Sequence, residues 1–504
     1  MRIWTRACGF AILYFLSIGT TSMVWAVSGQ PGTLDASWAS ASPIGPGKVI
    51  TQVGGGADVA KASALQPDGK VLIAGYCTGL SNNDFCALRY NVDGTPDNTF
   101  GTDGKVISPV ANRDDLAAAI ALQPDGRAVL AGQCKVEGSI NVFCALRYNH
   151  DGTLDTSFGS GGTLTSSVSG SVSAVAVQAD GKLVFAGGCS GSNGNSHFCA
   201  LRYHANGSID VNFGAAGKAT STIGSSGSFS TALALQADGK LLLAGQCLGP
   251  TSNSASCLLR YDANGAIDVT FGAGGLVVND QNSIFYTNAL VLQPDGRVTL
   301  AGTCFGNTPD FCAQRYNANG TLDTTFGTAG KATTAVGGVD DYATAIALQP
   351  DGKLVVAGNC TGVNNRDFCA VRYHSDGTLD MAFGNGGKVI TPVGTGDDSV
   401  VAVLVQPDGK LALVGNCTPY ASFYDFCAVR YDGGPFGYKA CSLDIDGDNR
   451  VLAMTDSLIH ARIALGLTGT AVVNGITFPT TATRNTWPLI RDYLVTQCGM
   501  SLVQ

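Results

Sequence analysis

Short apolar stretches separated by turn-forming residues run along most of the chain. In YATAIALQ (342–349), polar residues interrupt small and apolar ones at a period typical of a β-strand. The PDG that follows predicts a tight turn. Three further stretches, KLVVAGNC (353–360), FCAVRY (368–373) and GKVITPV (387–393), also read as strands. The pattern therefore predicts a unit of four short strands.

This unit recurs along the chain. The motif Gln-Pro/Ala-Asp-Gly-Lys/Arg returns every 55 to 58 residues and begins at Gln66, Gln123, Gln178, Gln236, Gln293, Gln349 and Gln406. A period of this length, filled with strands, is typical of one four-stranded propeller blade per repeat. We therefore predict an all-β fold, a seven-bladed β-propeller that spans residues 27–434.

The two ends of the repeat region complement each other. The phrase Gly-Thr-Leu-Asp-x-x-Phe, or a close variant of it, follows the third strand in six repeats, but the seventh stops at RYDGG. A close copy, GTLDASW (32–38), stands instead near the N-terminus and is followed by GKVITQV (47–53). This arrangement predicts that the N-terminal strand pairs with the last blade and closes the ring, which removes two open sheet edges. An open solenoid would need no such half-repeats.

The cysteines follow the same period. Each repeat carries one pair, placed where the second strand ends and the third begins, at a separation that suits a cross-strand disulfide. The predicted pairs are Cys77/Cys86, Cys134/Cys144, Cys189/Cys199, Cys247/Cys257, Cys304/Cys312, Cys360/Cys369 and Cys417/Cys427, with a further pair, Cys441/Cys498, in the C-terminal tail. The alternative, thiolate metal binding, lacks a CxxC motif and histidines at ligand spacing.

The first 26 residues resemble a secretory signal peptide. Arg2 and Arg6 precede an apolar run, and Val24-Trp25-Ala26 offers small residues for cleavage. We expect a secreted, cell-surface or periplasmic protein with no transmembrane segment after cleavage, and such compartments permit disulfides. The chain has 504 residues and a net charge of −8, which argues against nucleic acid as a partner.

The loops between paired cysteines differ from repeat to repeat, whereas the strands around them are regular. Seven such loops would gather on one rim of the ring, where variable loops on a rigid scaffold often form a binding face. Unconstrained variation of surface loops would give the same pattern. The last loop carries Tyr420, Phe423 and Tyr424, and these three aromatic residues are our candidate contact patch for an unknown protein or polysaccharide.

The sequence offers no candidate catalytic residue. Aspartates recur in every repeat, in the PDG turn and before the conserved aromatic residue, and a catalytic pair would be expected to break the repeat symmetry. We predict a structural role for these aspartates. The arginine of each RY motif is expected to pair with a repeat aspartate or to cap a carbonyl group.

The repeat ends before residues 435–440, which we interpret as a linker, and an unrelated sequence follows them. In CSLDIDGDNRVLAMTD (441–456), Asp444, Asp446 and Asp448 alternate and Asp456 follows, so four carboxylates can converge on a hard cation. We predict a Ca²⁺ loop, followed by helices over 457–465 and 487–497. A solvated acidic turn is the alternative interpretation.

Two resemblances follow from these residues. The repeat ALQPDGKLVVAG…FCAVRYHSDGTLDMAFGNGGKV resembles the delta-60 repeat of bacterial propeller-like proteins, which implies a propeller fold and no particular activity. The segment DIDGDNRVLAMTD is similar to the calcium loop of dockerin modules and EF-hands. It departs from them in three respects: the last acid is thirteenth, Asn449 replaces glycine, and a single loop is visible. The resemblance implies a dockerin-like module over residues 441–504.

These observations favour a secreted, non-enzymatic propeller that binds a partner through one rim and carries a calcium-binding tail. Two alternatives stay open at this point. One is a polysaccharide-active extracellular enzyme with a docking tail, and the other is a structural protein of the cell envelope.

Overall fold

The structure, a computed structural model, describes most of the repeat region and short parts of the tail. The described residues are 30–79, 82–191, 194–224, 227–248, 254–279, 285–362, 365–419, 423–434, 459, 470–478 and 485–496.

Almost all regular structure in the described residues is β-strand. The strands are β1 (Lys48–Thr51), β2 (Asp58–Leu65), β3 (Val71–Thr78), β4 (Asn83–Tyr90), β5 (Lys105–Ser108), β6 (Asp115–Leu122), β7 (Ala128–Lys135), β8 (Asn141–Tyr148), β9 (Thr163–Val177), β10 (Leu183–Ser190), β11 (Ser196–Tyr203), β12 (Lys218–Ser221), β13 (Phe229–Leu235), β14 (Leu241–Leu248), β15 (Ser254–Tyr261), β16 (Leu276–Asn279), β17 (Phe285–Leu292), β18 (Val298–Phe305), β19 (Pro309–Tyr316), β20 (Lys331–Thr334), β21 (Asp341–Leu348), β22 (Leu354–Thr361), β23 (Arg366–Tyr373), β24 (Lys388–Thr391), β25 (Ser399–Val405), β26 (Leu411–Cys417) and β27 (Asp425–Tyr431).

The strands pair in chain order into antiparallel sheets. Five sheets have four strands each: β2-β3-β4-β5, β13-β14-β15-β16, β17-β18-β19-β20, β21-β22-β23-β24 and β1-β27-β26-β25. A sixth sheet runs from β6 to β12, because the long strand β9 pairs with β8 near its start and with β10 near its end. The predicted all-β, propeller-like fold of four-stranded units is therefore confirmed.

The segment before β1 is paired with the last sheet. Lys48 to Thr51 align with Val429 to Phe426, and Leu34 forms a bridge with Tyr431. The N-terminal segment therefore provides the fourth strand that the last repeat lacks in its own sequence.

Apolar side chains form clusters between successive four-stranded units. In one cluster, Phe368 and Phe383 pack with Val400 and Leu413 of the next unit. Another joins the last unit to the first, since Val414 and Phe426 lie with Ile73 and Leu88. Each unit therefore buries both faces against its neighbours, which is how a four-stranded sheet with two apolar faces becomes stable.

The helical structure is sparse. The repeat region contains a 3₁₀ turn at Glu137–Ser139, and the tail contains α1 (Thr470–Val473) and α2 (Trp487–Thr496). In the tail, Ile459, Val472 and Ile490 are buried together. No helix among the described residues is long and apolar enough to cross a membrane. The predicted signal peptide, the linker, the calcium loop, Cys441 and Cys498 lie outside the described residues, so the dockerin-like module stays a prediction.

Candidate functional site

Each unit has two ends, which we call the turn face and the loop face. The turn face is the end with the PDG turns, where first strands end and second strands begin. The loop face is the opposite end, where second strands end and third strands begin.

A cluster of arginine, aspartate and an aromatic ring recurs on the turn face. Arg89 Nε lies 2.7 Å from Asp97 Oδ2, and its guanidinium stacks 4.6 Å from the centroid of the Phe100 ring. The same pairing is made by Arg147, Arg202, Arg260, Arg315 and Arg372 with Asp155, Asp210, Asp268, Asp323 and Asp380. The expected pairing of the RY arginines with repeat aspartates is confirmed.

The last unit builds this cluster from both ends of the chain. Arg430 lies 2.7 Å from Asp35, and its guanidinium lies 5.6 Å from the Trp38 ring, so Trp38 takes the place of the usual phenylalanine. Burial alone would raise the pKa of Asp35. Hydrogen bonds from Ser37 and Lys410 and the charge of Arg430 outweigh it and lower the pKa to about 2. The carboxylate is therefore charged and is held by hydrogen bonds and an ion pair, as is expected of a structural group.

The RY arginines also join neighbouring units. Arg202 Nη1 donates to the carbonyl of Ala263 in the next unit at 2.6 Å, and Arg430 Nη1 donates to the carbonyl of Val92 at 2.9 Å. The second contact runs from the last unit to the first. Every RY arginine thus stabilises its own unit and the one beside it.

Seven disulfides cross-link the second and third strands at the loop face, as the sequence predicts. They join Cys77–Cys86, Cys134–Cys144, Cys189–Cys199, Cys247–Cys257, Cys304–Cys312, Cys360–Cys369 and Cys417–Cys427, with Cα atoms 5.5 to 6.0 Å apart. The two cysteines of a pair are diagonal across the hairpin. Cys86 faces Gly75, for example, whereas Cys77 faces Asp84. The loops above them therefore start from rigid, covalently closed bases.

Exposed aromatic side chains lie on the loop face. Phe423 is 61% exposed and Tyr424 39%, whereas Tyr420, the third member of the predicted patch, lies outside the described residues. Phe229 and Tyr286, at the starts of first strands, are also exposed. The candidate patch predicted from the sequence does not include these two residues, because they lie in strands and not in the loops.

Backbone contacts hold these loops against the next unit. The Tyr424 carbonyl accepts a hydrogen bond from Asp58 N at 2.7 Å, and the Arg366 carbonyl accepts one from Asp398 N at the same distance. These contacts place the start of each of these third strands beside the start of the next first strand. Phe423 and Tyr424 therefore border the first unit, on the same face as the other loops.

Buried and half-buried aspartates on the loop face are a further feature that the candidate residues from the sequence do not include. In four units an aspartate faces the second-strand cysteine: Asp84, Asp310, Asp367 and Asp425. Each lies near an aspartate that precedes or begins the next first strand: Asp115, Asp341, Asp398 and Asp58. The recurring Asp-Phe-Cys motif was a visible signal, but a single repeat does not reveal which carboxylates meet across units.

On the loop face, burial raises the pKa of Asp58, Asp84, Asp115, Asp310, Asp367, Asp398 and Asp425. The pKa of Asp398 rises to about 6 because burial and the charge of Asp367 outweigh hydrogen bonds from Val393 and Gly394. The pKa of Asp425 also rises to about 6, through burial and the charge of Asp58. At neutral pH the two carboxylates of such a pair repel each other, whereas the aspartates of the turn face are stabilised by ion pairs.

Within the described residues, no three or more histidine, cysteine or acidic side chains are arranged to hold a metal ion. The predicted calcium ligands Asp444, Asp446, Asp448 and Asp456 fall outside those residues. The described histidines are scattered: His204 and His374 lie at the turn face within 4.0 Å of Asp210 and Asp380.

Six segments of the chain match the family described as "Domain of unknown function (DUF5122) beta-propeller": residues 66–100, 123–158, 178–213, 236–271, 293–326 and 349–383. Each starts at the glutamine of one repeat and ends at the phenylalanine of the turn-face cluster. The repeat at Gln406 is not among them, and its counterpart of that ending stands at residues 32–38. No curated protein matches the sequence.

Several solved structures are similar in shape. An ulvan lyase of polysaccharide lyase family PL25 has a TM-score of 0.46 at 8% identity, covering 77% of this chain and 96% of its own. A virginiamycin B lyase from Staphylococcus aureus has a TM-score of 0.41 at 11% identity, covering 76% and 98%. A Dyadobacter fermentans protein of unknown function has a TM-score of 0.40 at 10% identity, covering 77% and 99%. Similarities this low say nothing about activity.

The six matched segments and the four-stranded sheets around them support a fold built from β-propeller repeats.

Proposed function

We propose that the chain is a secreted, non-enzymatic scaffold, a seven-bladed propeller closed by its N-terminal strand, which binds a polysaccharide or protein through the loop face. The observation that carries the proposal is the set of exposed aromatic rings above disulfide-closed hairpins. Aromatic rings provide large contact areas at low conformational-entropy cost and are enriched where proteins bind partners.

Contacts between the last and first units support the closed ring. Asn416 Oδ1 accepts a hydrogen bond from Ala60 N at 2.6 Å, and Asn416 Nδ2 donates to the Ala60 carbonyl at 3.2 Å. Together with Arg430 on the Val92 carbonyl and the pairing of β1 with β27, they join the two ends of the repeat region. Counting β9 as a member of two units gives seven blades.

We base the non-enzymatic role on the interactions that the recurring aspartates make in each unit. On the turn face, the aspartate that precedes the aromatic residue is paired with arginine in every unit, as in the cluster of Asp323 with Arg297 and Arg315. On the loop face the buried aspartates occur in several units. Neither set provides one singular acid–base pair in an open cleft, which hydrolysis or elimination would require.

Affinity electrophoresis in gels containing soluble polysaccharides tests the binding role. We expect retardation by at least one acidic or neutral polysaccharide, lost in the double variant Phe423→Ala/Tyr424→Ala. The matched control is Met381→Ala, since Met381 is 67% exposed but lies beside Asp380 on the turn face. Equal retardation of all three proteins would contradict a role for the loop face, and shortening of the polymer would contradict a non-enzymatic role.

The calcium-binding tail is a separate part of the proposal and rests on the alternating aspartates 444, 446 and 448 and on Asp456. A calorimetric Ca²⁺ titration of the mature chain and its Asp444→Ala variant tests it. We expect saturable binding in the first protein and none in the second. The absence of heat in both would contradict calcium binding. The seven disulfides are compatible with the extracellular or periplasmic location that such a site would need.

A further inference from the structure

The first strands of all seven units line one cavity, which we call the inner cavity. Its volume is about 370 Å³, and the lining segments are 61–63, 118–120, 173–175, 231–233, 288–290, 344–346 and 401–404. Most of the lining side chains are alanine or aliphatic. The cavity is separate from the exposed aromatic residues of the loop face.

Each first strand carries a β-bulge, and the extra residue of the bulge lines the inner cavity. In four units this residue donates a hydrogen bond to a backbone carbonyl of the next first strand. The donors are Ser173 to Ser230, Thr231 to Thr287, Asn288 to Ala343 and Thr344 to Val400, at 2.7 to 2.9 Å. The bulge position is therefore a repeated neutral connector between neighbouring strands.

The strand β2 breaks this pattern with Lys61, the one charged residue among the described residues that line the cavity. The residues that take its place in the neighbouring units, Ala118 and Val401, have no polar side-chain atoms. The Lys61 ammonium lies 5.8 Å from the centroid of the Tyr76 ring, and no described acidic side chain forms an ion pair with it. Solvent reaches Lys61 through the cavity, yet the surrounding strands bury it enough to lower its pKa.

A second polar residue breaks the pattern on the same strand. Ser63 lines the cavity, and its Oγ is buried without a hydrogen-bond partner among the described residues. The equivalent position is aliphatic in the other six units: Ile120, Val175, Leu233, Leu290, Ile346 and Val403. A buried hydroxyl without a partner costs free energy, as does a partly desolvated ammonium.

We propose that Lys61 and Ser63 form a binding site for a small oxyanion in the inner cavity, with the ammonium as counter-charge and the hydroxyl as hydrogen-bond donor. A carboxylate or phosphate group in the cavity would compensate the ammonium, and it would accept a hydrogen bond from the hydroxyl once the Ser63 side chain turns toward it. None of the described residues that line the cavity is acidic, so none would repel the anion. The ligand class is a free inorganic anion or the carboxylate of a small organic acid such as a uronic acid.

The other lysines of the repeats lack these features. Lys353, for example, contacts Asp351 at 3.0 Å and Asp380 at 3.6 Å on the turn face, so its charge is already compensated. It provides an internal reference in the same protein for any measurement of lysine reactivity.

Reductive methylation followed by peptide mass spectrometry tests the site on the intact, disulfide-bonded chain. Inorganic phosphate, acetate and glucuronate are the probes. At a probe concentration ten times its Kd, methylation of Lys61 should slow roughly tenfold, while that of Lys353 is unchanged. Protection by phosphate supports an inorganic anion, protection by acetate and glucuronate but not phosphate supports a small carboxylate, and protection by glucuronate alone supports a carboxylated sugar. No protection of Lys61 by any probe overturns the proposal.

Calorimetry of variants provides the second readout. Lys61→Gln should abolish binding of the protective probe, Ser63→Ala should weaken it several-fold, and Lys61→Arg should retain it. Glutamine is a mild change here because other units hold asparagine or threonine at this position. Unchanged binding to Lys61→Gln would overturn the assignment, whatever the outcome for the loop face.

Discussion

At the scale of single residues, the same amino acid serves opposite electrostatic roles on the two faces. Asp97 is buried on the turn face between Arg89 and Lys70, and its pKa is lowered because these contacts outweigh burial. Asp398 is buried on the loop face with only backbone donors, and its pKa is raised. The environment, and not the residue type, decides whether an aspartate of this protein favours its charged form.

Replacing a turn-face aspartate by a neutral residue should lower the stability of the fold. Asp97→Asn leaves the buried Arg89 guanidinium without its counter-charge, so the free energy of unfolding should fall by about 3 kcal/mol. Urea denaturation followed by circular dichroism measures this loss. The control is Asp68→Asn, because the Asp68 side chain is 57% exposed and 3.7 Å from Lys70, and such a pair contributes less than about 1 kcal/mol. Equal losses in the two variants would contradict the structural role of the cluster.

The sequence predicted the pairing within a repeat far better than contacts between repeats. Arg89 and Asp97 belong to one unit, and their recurrence in every copy indicated that they meet. The proximity of Asp367 and Asp398 is visible only when successive units are placed side by side. The same holds for the contrast between Lys61 and the neutral residues at its position in the neighbouring units. Lys61 is visible in the sequence as the one charged residue at a position where the other six repeats have alanine, serine, threonine, asparagine or valine.

At the scale of strands, the recurring glycine two residues before the second-strand cysteine is required by the bulge. A Cβ on Gly75 would overlap the carbonyl oxygen of Val59 in the adjacent first strand. Equivalent overlaps occur at Gly132, Gly187, Gly245, Gly302, Gly358 and Gly415. The bulge brings the first strand so close that glycine alone fits, and it also directs Lys61 and its equivalents into the inner cavity.

Gly75→Ala should therefore destabilise the chain by about 2 kcal/mol or more, because strand backbone must move to relieve the overlap. Gly55→Ala is the matched control, since a Cβ at Gly55 would have nothing within 4 Å. Thermal unfolding midpoints of the two variants provide the comparison. A midpoint of Gly75→Ala equal to that of Gly55→Ala would show that the bulge does not constrain this position.

At the scale of the whole molecule, the opposite pKa shifts on the two faces determine how stability depends on pH. The raised pKa values of Asp398 and Asp425, about 6 against an ordinary 3.8, mean that protonation favours the folded chain as pH falls from 7 toward 5. The lowered pKa values of Asp35 and Asp323, about 2, stabilise the fold above about pH 4, and this contribution is lost as pH falls further.

We therefore expect the unfolding midpoint to be highest between about pH 4 and 6 and to decline on both sides. Differential scanning calorimetry across this range measures it. Asp425→Asn should reduce the decline between pH 5 and 7 without changing the decline below pH 4. A midpoint that rises steadily from pH 4 to pH 8 would contradict the electrostatic difference between the faces.

The N-terminal segment and the last repeat complete one unit together. The N-terminal segment carries Asp35, Trp38 and β1, which complete the cluster and the sheet of the last unit. The half-repeats at the two ends predicted this pairing from the sequence, because each contains what the other lacks. The number of residues in each loop, by contrast, gave no indication of how the aromatic side chains lie on the loop face.

Hydrogen–deuterium exchange of β1 tests the closed propeller most directly. In a closed ring, the backbone amides of Lys48–Thr51 that pair with β27 should be protected as strongly as those of Lys388–Thr391, which occupy the same fourth-strand position in the preceding unit. Mass spectrometry of peptides that cover both strands makes the comparison within one sample. Similar protection is the predicted result, whereas rapid exchange of β1 beside a protected β24 would contradict closure by the N-terminal strand.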